Sequence, residues 1–295
     1  MSIKTIGYVG LGVMGEAMCR NITRKGSWNV VGYDRVAAPM ERLKADGVSA
    51  AASPADLVAQ CDVVLMCLPG GAEVEALCRG PDGLLGLVRA GQTVVDMSTA
   101  PPRLMRELAD AFAAKGVDFA DAPVARTRQA AIDGTLSIMV GASAPVFARV
   151  QPILATMGAD VTHCGAVGAG QIVKLMNNMV VYETVMALAE AISIAEASGV
   201  DGKLLLETLS KGSADSFALR NHGMKALLPQ EYPLQAFSAR YALKDLSYAV
   251  DLAGETGVKA RGASLVCQLF EEAIARGDGD RYAPVIRRVM TKSES

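Results

Sequence analysis

The segment Ile3-Lys-Thr-Ile-Gly-Tyr-Val-Gly-Leu-Gly-Val-Met-Gly15 runs a β-branched stretch into a Gly10-x-Gly12-x-x-Gly15 turn, and residues 16–25 beyond it have helix-forming composition. A second strand over 28–33 ends in Asp34, 19 residues after Gly15. Strand, glycine turn, helix and acidic strand end form the context in which this motif holds a dinucleotide. Gly10 permits the tight turn, Gly12 lets backbone amides approach a pyrophosphate, and Gly15 lets the helix pack on the strand. Leu11, Val13 and Met14 complete the cradle. The Asp34 carboxylate can accept from both ribose hydroxyls, which favours NAD. Arg35 beside it can pair with a 2′-phosphate and so admits NADP.

The α/β alternation continues outward from this unit. A helix is expected over 53–60, with Ser53 capping and Pro54 at its first position. Residues 62–67 form an apolar strand that ends at Leu68-Pro69, and 93–97 form another that ends at Ser98-Thr99. A helix over 103–115 follows, then short strands over 117–120, 135–140 and 160–163. Near-continuous apolar strands between helices predict a parallel sheet covered on both faces. Ligands of such sheets lie beyond the carboxyl ends of the strands, so Leu68-Pro69, Ser98-Thr99 and Ala125-Arg126-Thr127 are expected around one crevice.

The glycines at 165, 168 and 170 then loosen the chain, and the domain boundary is placed there, with a dinucleotide-binding domain over 1–165 and an all-α domain over 166–295. Residues 171–198 contain no Gly or Pro and carry apolar side chains at Ile172, Leu175, Met176, Met179, Val180, Met186, Leu188, Ile192 and Ile194, which predicts a long, mostly buried helix. A lysine is out of place in such a helix. The i, i+3 and i, i+4 spacing sets Asn177 and Asn178 beside Lys174 on one face. Further helices are expected over 202–210, 239–256 and 263–276, with a polar loop over 212–232 that carries His222 as a core-edge or solvated residue. The last residues, 292–295, read as a frayed end.

Composition narrows the function classes. At 295 residues with 51% hydrophobic and 20% charged residues, the chain can fill two cores. A net charge of −2 without a basic stripe argues against nucleic acid, and no uninterrupted apolar run reaches the roughly 20 residues of a membrane span. Six cysteines without a CxxC pair fit reduced thiols in a cytoplasmic protein, and a start that runs directly into a strand leaves no room for a signal peptide. Two distant histidines argue against a histidine triad or a metal centre.

Taken together, Gly10-Leu-Gly-Val-Met-Gly15 with Met18 and Asn21, Leu68-Pro69, Asp96-Met-Ser-Thr99, Asp121-Ala-Pro-Val124, Gly168-Ala-Gly-Gln-Ile-Val-Lys174 with Asn178, and Lys244-Asp-Leu246 resemble the motifs of the 3-hydroxyisobutyrate dehydrogenase family over nearly the whole chain. That family is related to 6-phosphogluconate dehydrogenase. The resemblance implies an α/β Rossmann-like N-terminal domain, an all-α C-terminal domain joined through the long helix, and a homodimer or homotetramer. It implies Lys174 as acid/base, Asn178 as a substrate-holding residue, and Thr99 and Lys244 beside the nicotinamide. The chemistry is coherent, because reducing an aldehyde adds hydride to carbon and a proton to oxygen, and a lysine with a free pKa of about 10.4 can be tuned downward by burial or a second cation.

One departure bears on substrate. The family commonly reads D-x-P-V-S-G-G, and this chain has Ala125-Arg126-Thr127 after Val124. A guanidinium fork there suits a sulfonate or a longer acid, and the segment is similar to that of 3-sulfolactaldehyde reductases within the family. Ser98, Ala125, Arg126, Thr127, Lys174 and Asn178 are therefore the expected contacts of a small anionic substrate. The expected reaction interconverts a short 3-hydroxy acid, or an analogue such as 2,3-dihydroxypropanesulfonate, with its semialdehyde. The alternatives are an ordinary 3-hydroxyisobutyrate, 4-hydroxybutyrate or tartronate semialdehyde enzyme with Arg126 in solvent. A non-catalytic dinucleotide sensor would have no use for Lys174, and a Rossmann-like methyltransferase none for its helix. Asn177 stands where 6-phosphogluconate dehydrogenase has histidine, and imine reductases usually replace the lysine.

Overall fold

In a computed structural model, which describes residues 3–234 and 236–290, the chain divides into two compact units, Met1–Lys174 and Leu175–Ser295. The frayed end expected over 292–295 lies outside the described residues. The first unit is a nine-stranded sheet with strands β1 Thr5–Val9, β2 Asn29–Tyr33, β3 Ser49–Ala50, β4 Val63–Met66, β5 Thr93–Asp96, β6 Asp118–Asp121, β7 Val124–Ala125, β8 Leu136–Gly141 and β9 Gly158–Gly165. Strands run in the order β3-β2-β1-β4-β5-β6-β8-β7, with β9 on β8. From β3 to β6 every pairing is parallel. The expectation of a wholly parallel sheet is corrected at its far side, where β8 runs antiparallel to β6 and β7. Between β6 and β8 the chain spends its residues on β7 and the short α7, and turns back beside β6 as an antiparallel return.

Both faces of the sheet are covered, and the strand sequences say why. In β4, Val63 and Leu65 point into one core while Val64 and Met66 point into the other, and all four are fully buried. The helices of this unit are α1 Gly15–Lys25, α2 Ala37–Lys44, α3 Pro54–Gln60, α4 Gly71–Arg79, α5 Leu84–Leu87, α6 Pro102–Ala113, α7 Arg128–Asp133 and α8 Ala144–Leu154. Ser53 caps α3 as its sequence predicts, with its hydroxyl accepting from the Asp56 amide and Pro54 following it.

A 29-residue helix, α9 Ala169–Ala197, spans the division between the units. By length and composition it could cross a membrane, yet a third of its apolar window is buried in the molecule. Its buried positions include Gln171, Lys174, Leu175, Asn178, Tyr182, Val185, Ala189 and Ile192, a stripe at spacings of three and four. The helix is therefore not mostly buried: Val180 and Ile194 are exposed. Apolar residues all round it hid the fact that one face alone packs inside the chain.

The second unit has a single core of Tyr182, Val185, Ile192 and Leu206 with residues of the helices Ala239–Glu255 and Arg261–Ala275. The expected loop over 212–232 is in part helical. Leu219–Leu227 winds with wide turns, in which the Leu228 amide donates to the carbonyl of Gly223 five residues back. Its periodicity is obscured by Gly223 in mid-helix and by polar residues at 220–222. The C-terminal carbonyl of Leu227 accepts from the buried guanidinium of Arg287, whose other arm pairs with Glu196.

His222 is a half-buried residue of this helix, and the Tyr282 hydroxyl lies 2.6 Å from its Nδ1. Burial pushes the imidazole down to about 4 and the Tyr282 phenol up to about 12, so the phenol donates to a neutral ring. The unfolded histidine, with a pKa of about 6.5, takes up a proton that the folded one refuses. Stability contributed by this site is thus full above about pH 6.5 and is lost as pH falls from there toward 4. Over that window wild type should lose about 3 kcal/mol more than His222→Gln in urea titrations. Parallel pH profiles for the two proteins would contradict this assignment.

Candidate active site

The glycine turn has the geometry the motif requires. Gly10 has φ +87°, and a Cβ there would collide with the Cys67 carbonyl; a Cβ at Gly15 would collide with the Gly10 carbonyl. At Gly12 the same atom would meet nothing within 4 Å, so the space over this amide is open to a ligand. Leu11 is fully buried, Met14 half-buried and Val13 exposed. The Asp34 carboxylate accepts from the amides of Leu11 at 2.6 Å and Val36 at 2.8 Å. These bonds fix the carboxylate at the end of β2 against the glycine turn, where it retains further lone pairs for ribose hydroxyls. Arg35 is exposed beside it. A Gly turn, an open amide and a fixed carboxylate fit a dinucleotide.

The ends of β4 and β5 are tied together next. The Ser98 hydroxyl accepts from the Leu68 amide at 2.9 Å, its own amide donates to Asp96 at 2.9 Å, and its side chain is buried. Ser98 therefore joins the ends of β4 and β5, and its hydroxyl proton stays available for the substrate contact expected of it. Pro69 is exposed and Thr99 half-buried at the same rim.

Three buried polar groups then position the start of α9. The Gln171 side chain donates to the Ser98 carbonyl at 2.8 Å and accepts from the Ala100 amide at 3.1 Å. The Asp121 carboxylate accepts from the amides of Gly168 at 2.6 Å and Gln171 at 2.8 Å. Burial drives the Asp121 carboxyl up to about 6, against the downward pull of those two amide donors. Asp121 thus satisfies otherwise orphaned amides at the helix N-terminus from a different strand. Gln171 and Asp121 were missed as site residues because their partners lie roughly 50 to 70 residues away. Lys174 comes one turn after Gln171 and is 7% exposed.

In the second unit Asn178 donates to Asp245 Oδ2 at 2.7 Å, and Lys244 pairs with Asp245 Oδ1 at 2.9 Å. Lys244 also lies over the rings of Tyr241 and Tyr248, at 5.9 and 5.2 Å. Two predicted site residues are therefore brought together by a third, Asp245, that the sequence reading named only as part of a motif. The Asn177 side-chain amide donates to Asn178 Oδ1 at 3.1 Å.

Around Val124 the structure departs from expectation. Ala125 is buried, and the Thr127 hydroxyl caps α7 by accepting from the Ala130 amide at 3.3 Å. The Arg126 guanidinium, expected to face a substrate anion, donates instead to the Thr135 carbonyl and to Asp160 Oδ2, each at 2.6 Å. Among the described residues, no group of three or more His, Cys, Asp or Glu side chains could hold a metal ion.

Comparison with known proteins identifies the family and the fold. Residues 5–165 match the NAD binding domain of 6-phosphogluconate dehydrogenase, and residues 168–288 match the NAD-binding domain of NADP-dependent 3-hydroxyisobutyrate dehydrogenase. The chain is 34% identical over 278 residues to 2-(hydroxymethyl)glutarate dehydrogenase of Eubacterium barkeri, covering 94% of this chain and 91% of that one. It is 31% identical to the NAD-dependent L-serine dehydrogenase of Pseudomonas aeruginosa, over 99% of both. The solved structure of Mycobacterium tuberculosis 3-hydroxyisobutyrate dehydrogenase with L-serine superposes with a TM-score of 0.89 at 28% identity, covering 99% of this chain and 100% of that one. The chain belongs to the 3-hydroxyisobutyrate dehydrogenase family and is an NAD(P)-dependent dehydrogenase acting on the hydroxyl group of hydroxyacids.

Proposed function

We propose that this enzyme uses NAD in preference to NADP to interconvert a short 3-hydroxy carboxylic acid and its semialdehyde, with Lys174 as the acid/base. The observation that carries the reading is a buried lysine one helical turn from Asn178, whose amide is held by the buried carboxylate of Asp245. Nicotinamide supplies or accepts the hydride. In oxidation, Lys174 Nζ takes the hydroxyl proton as hydride leaves carbon; in reduction, the Lys174 ammonium returns a proton to the carbonyl oxygen. Asn178 holds the same oxygen or orients the lysine, while Thr99 and Lys244 take the cofactor contacts that the family resemblance implies. The turn that follows Val124 holds the substrate anion through Ala125 and Thr127, with the Arg126 guanidinium turned to Asp160.

A carboxylate is favoured over a sulfonate because the guanidinium that would select a sulfonate is engaged by Asp160. The similarity to enzymes named for L-serine and 2-(hydroxymethyl)glutarate supports the same choice. Six free cysteines, three of them buried, suit a cytoplasmic location.

The reading is tested by the change in absorbance at 340 nm with NAD or NADP against L-serine, 3-hydroxyisobutyrate, glycerate, 4-hydroxybutyrate and dihydroxypropanesulfonate. Turnover of the sulfonate in preference to every carboxylate would overturn the carboxylate assignment. Lys174→Ala should lower kcat/KM by about 100-fold or more, and retention of most activity would remove the lysine from the chemistry. Asp34→Ser should erode the NAD preference by roughly tenfold, read as the ratio of kcat/KM for the two cofactors. Asp245→Ala removes the carboxylate bond to the buried Asn178 amide and should destabilise the protein by about 1–3 kcal/mol in urea titrations, with a loss of kcat that Lys244→Ala alone does not reproduce.

A further inference from the structure

We propose that Arg126 is a positioning residue, a strap that fixes the shape of the anion-binding segment, and is not itself a ligand of the substrate anion. The inference rests on the dehydrogenase reading for what the segment binds, and on the first unit's own geometry for how the strap works.

Arg126 has φ +87°, a conformation that glycine adopts freely and an L side chain resists. Among the described residues only Gln230 shares a positive φ without being glycine. Such a backbone needs external restraint, and the Arg126 side chain provides it. Ala125 in β7 pairs with Ser137 in β8, which pairs with Asp160 in β9, so the three form a row across the sheet edge. The guanidinium reaches across that row from β7 to Asp160, and its other arm donates to the carbonyl of Thr135, immediately before β8. Residues 127–134, which hold α7, are therefore closed at their base by one side chain. Their interior is fixed separately, by Thr127 at the start of α7 and by the buried Asn21 amide donating to the Ala131 carbonyl at 2.7 Å.

The same contacts weigh against the ligand role. They tie the guanidinium to the sheet edge, where the Asp160 carboxylate offsets its charge and weakens its pull on a substrate anion. The Arg126 side chain is 41% exposed and Asp160 56%, so the pair adds little to global stability and its effect is local. A glycine at 126 would hold the same φ without a strap, whereas alanine would have neither the freedom nor the restraint.

The experiment compares wild type, Arg126→Gly, Arg126→Ala and Asp160→Ala in steady-state kinetics on the preferred hydroxyacid, together with amide hydrogen exchange over residues 124–136. Arg126→Gly should stay within about threefold of wild-type kcat/KM, while Arg126→Ala and Asp160→Ala should each raise KM by about tenfold with kcat nearly unchanged. Exchange over 124–136 should speed up in the two alanine variants and less in the glycine variant. Equal impairment of Arg126→Gly and Arg126→Ala, or a lowered KM in Asp160→Ala as the freed guanidinium turns to substrate, would overturn the strap. So would unchanged exchange in Arg126→Ala. Absence of turnover on every hydroxyacid would instead overturn the dehydrogenase reading, and exchange would still decide the strap.

Discussion

The buried carboxylate of Asp121 is the constraint on which the catalytic geometry of the first unit depends. It stands at the end of β6 and accepts from the amides of Gly168 and Gln171, so a sheet strand caps the helix that delivers Lys174. Charge-assisted bonds of this kind contribute about 1.5–3 kcal/mol each, enough to fix the first turn of a helix against the competing entropy of its glycine-rich approach. Gln171 adds two bonds to the end of β5. The lysine therefore emerges from a stretch of backbone whose position is set by two adjacent strands, the placement that the proposed proton transfer requires.

A second hub, built on the same logic, lies in the helical unit. Asp245 is buried and divides its two oxygens between Asn178 and Lys244. Because a buried carboxylate without partners would be costly, Asn178 and Lys244 both stabilise Asp245 in its place. Tyr241 and Tyr248 restrain the Lys244 ammonium further. The two hubs show why acidic residues outside the expected site list govern the placement of the basic ones within it.

What could be read from the sequence was what is encoded locally. The glycine turn, the acidic end of β2, the Ser53 cap and the apolar strands each depend on residues within a few positions of one another, and each was legible. The antiparallel return at β8 was not, since a buried apolar strand reads the same in either direction. The helix at Leu219–Leu227 was obscured by a glycine and a wide-turn geometry for which the usual period of 3.6 does not look. Arg126 was legible as an unusual residue in an anion-binding motif, but its partner Asp160 is 34 positions away on a strand whose register no local pattern sets. Asp121 and Asp245 were visible as motif members, while their bonding was not.

Where α9 enters the fold, its backbone presses directly on the sheet. A Cβ on Gly170 would run into the Met139 carbonyl and the Asp121 carboxylate, and one on Gly141 into the same carboxylate from the strand side. Descent with modification is therefore closed at these two positions as long as Asp121 keeps its place. A lineage of such enzymes should carry two glycine hallmarks, one under the cofactor and one under the lysine helix. The second, tied to a carboxylate, would distinguish this family from the many dinucleotide binders that share only the first.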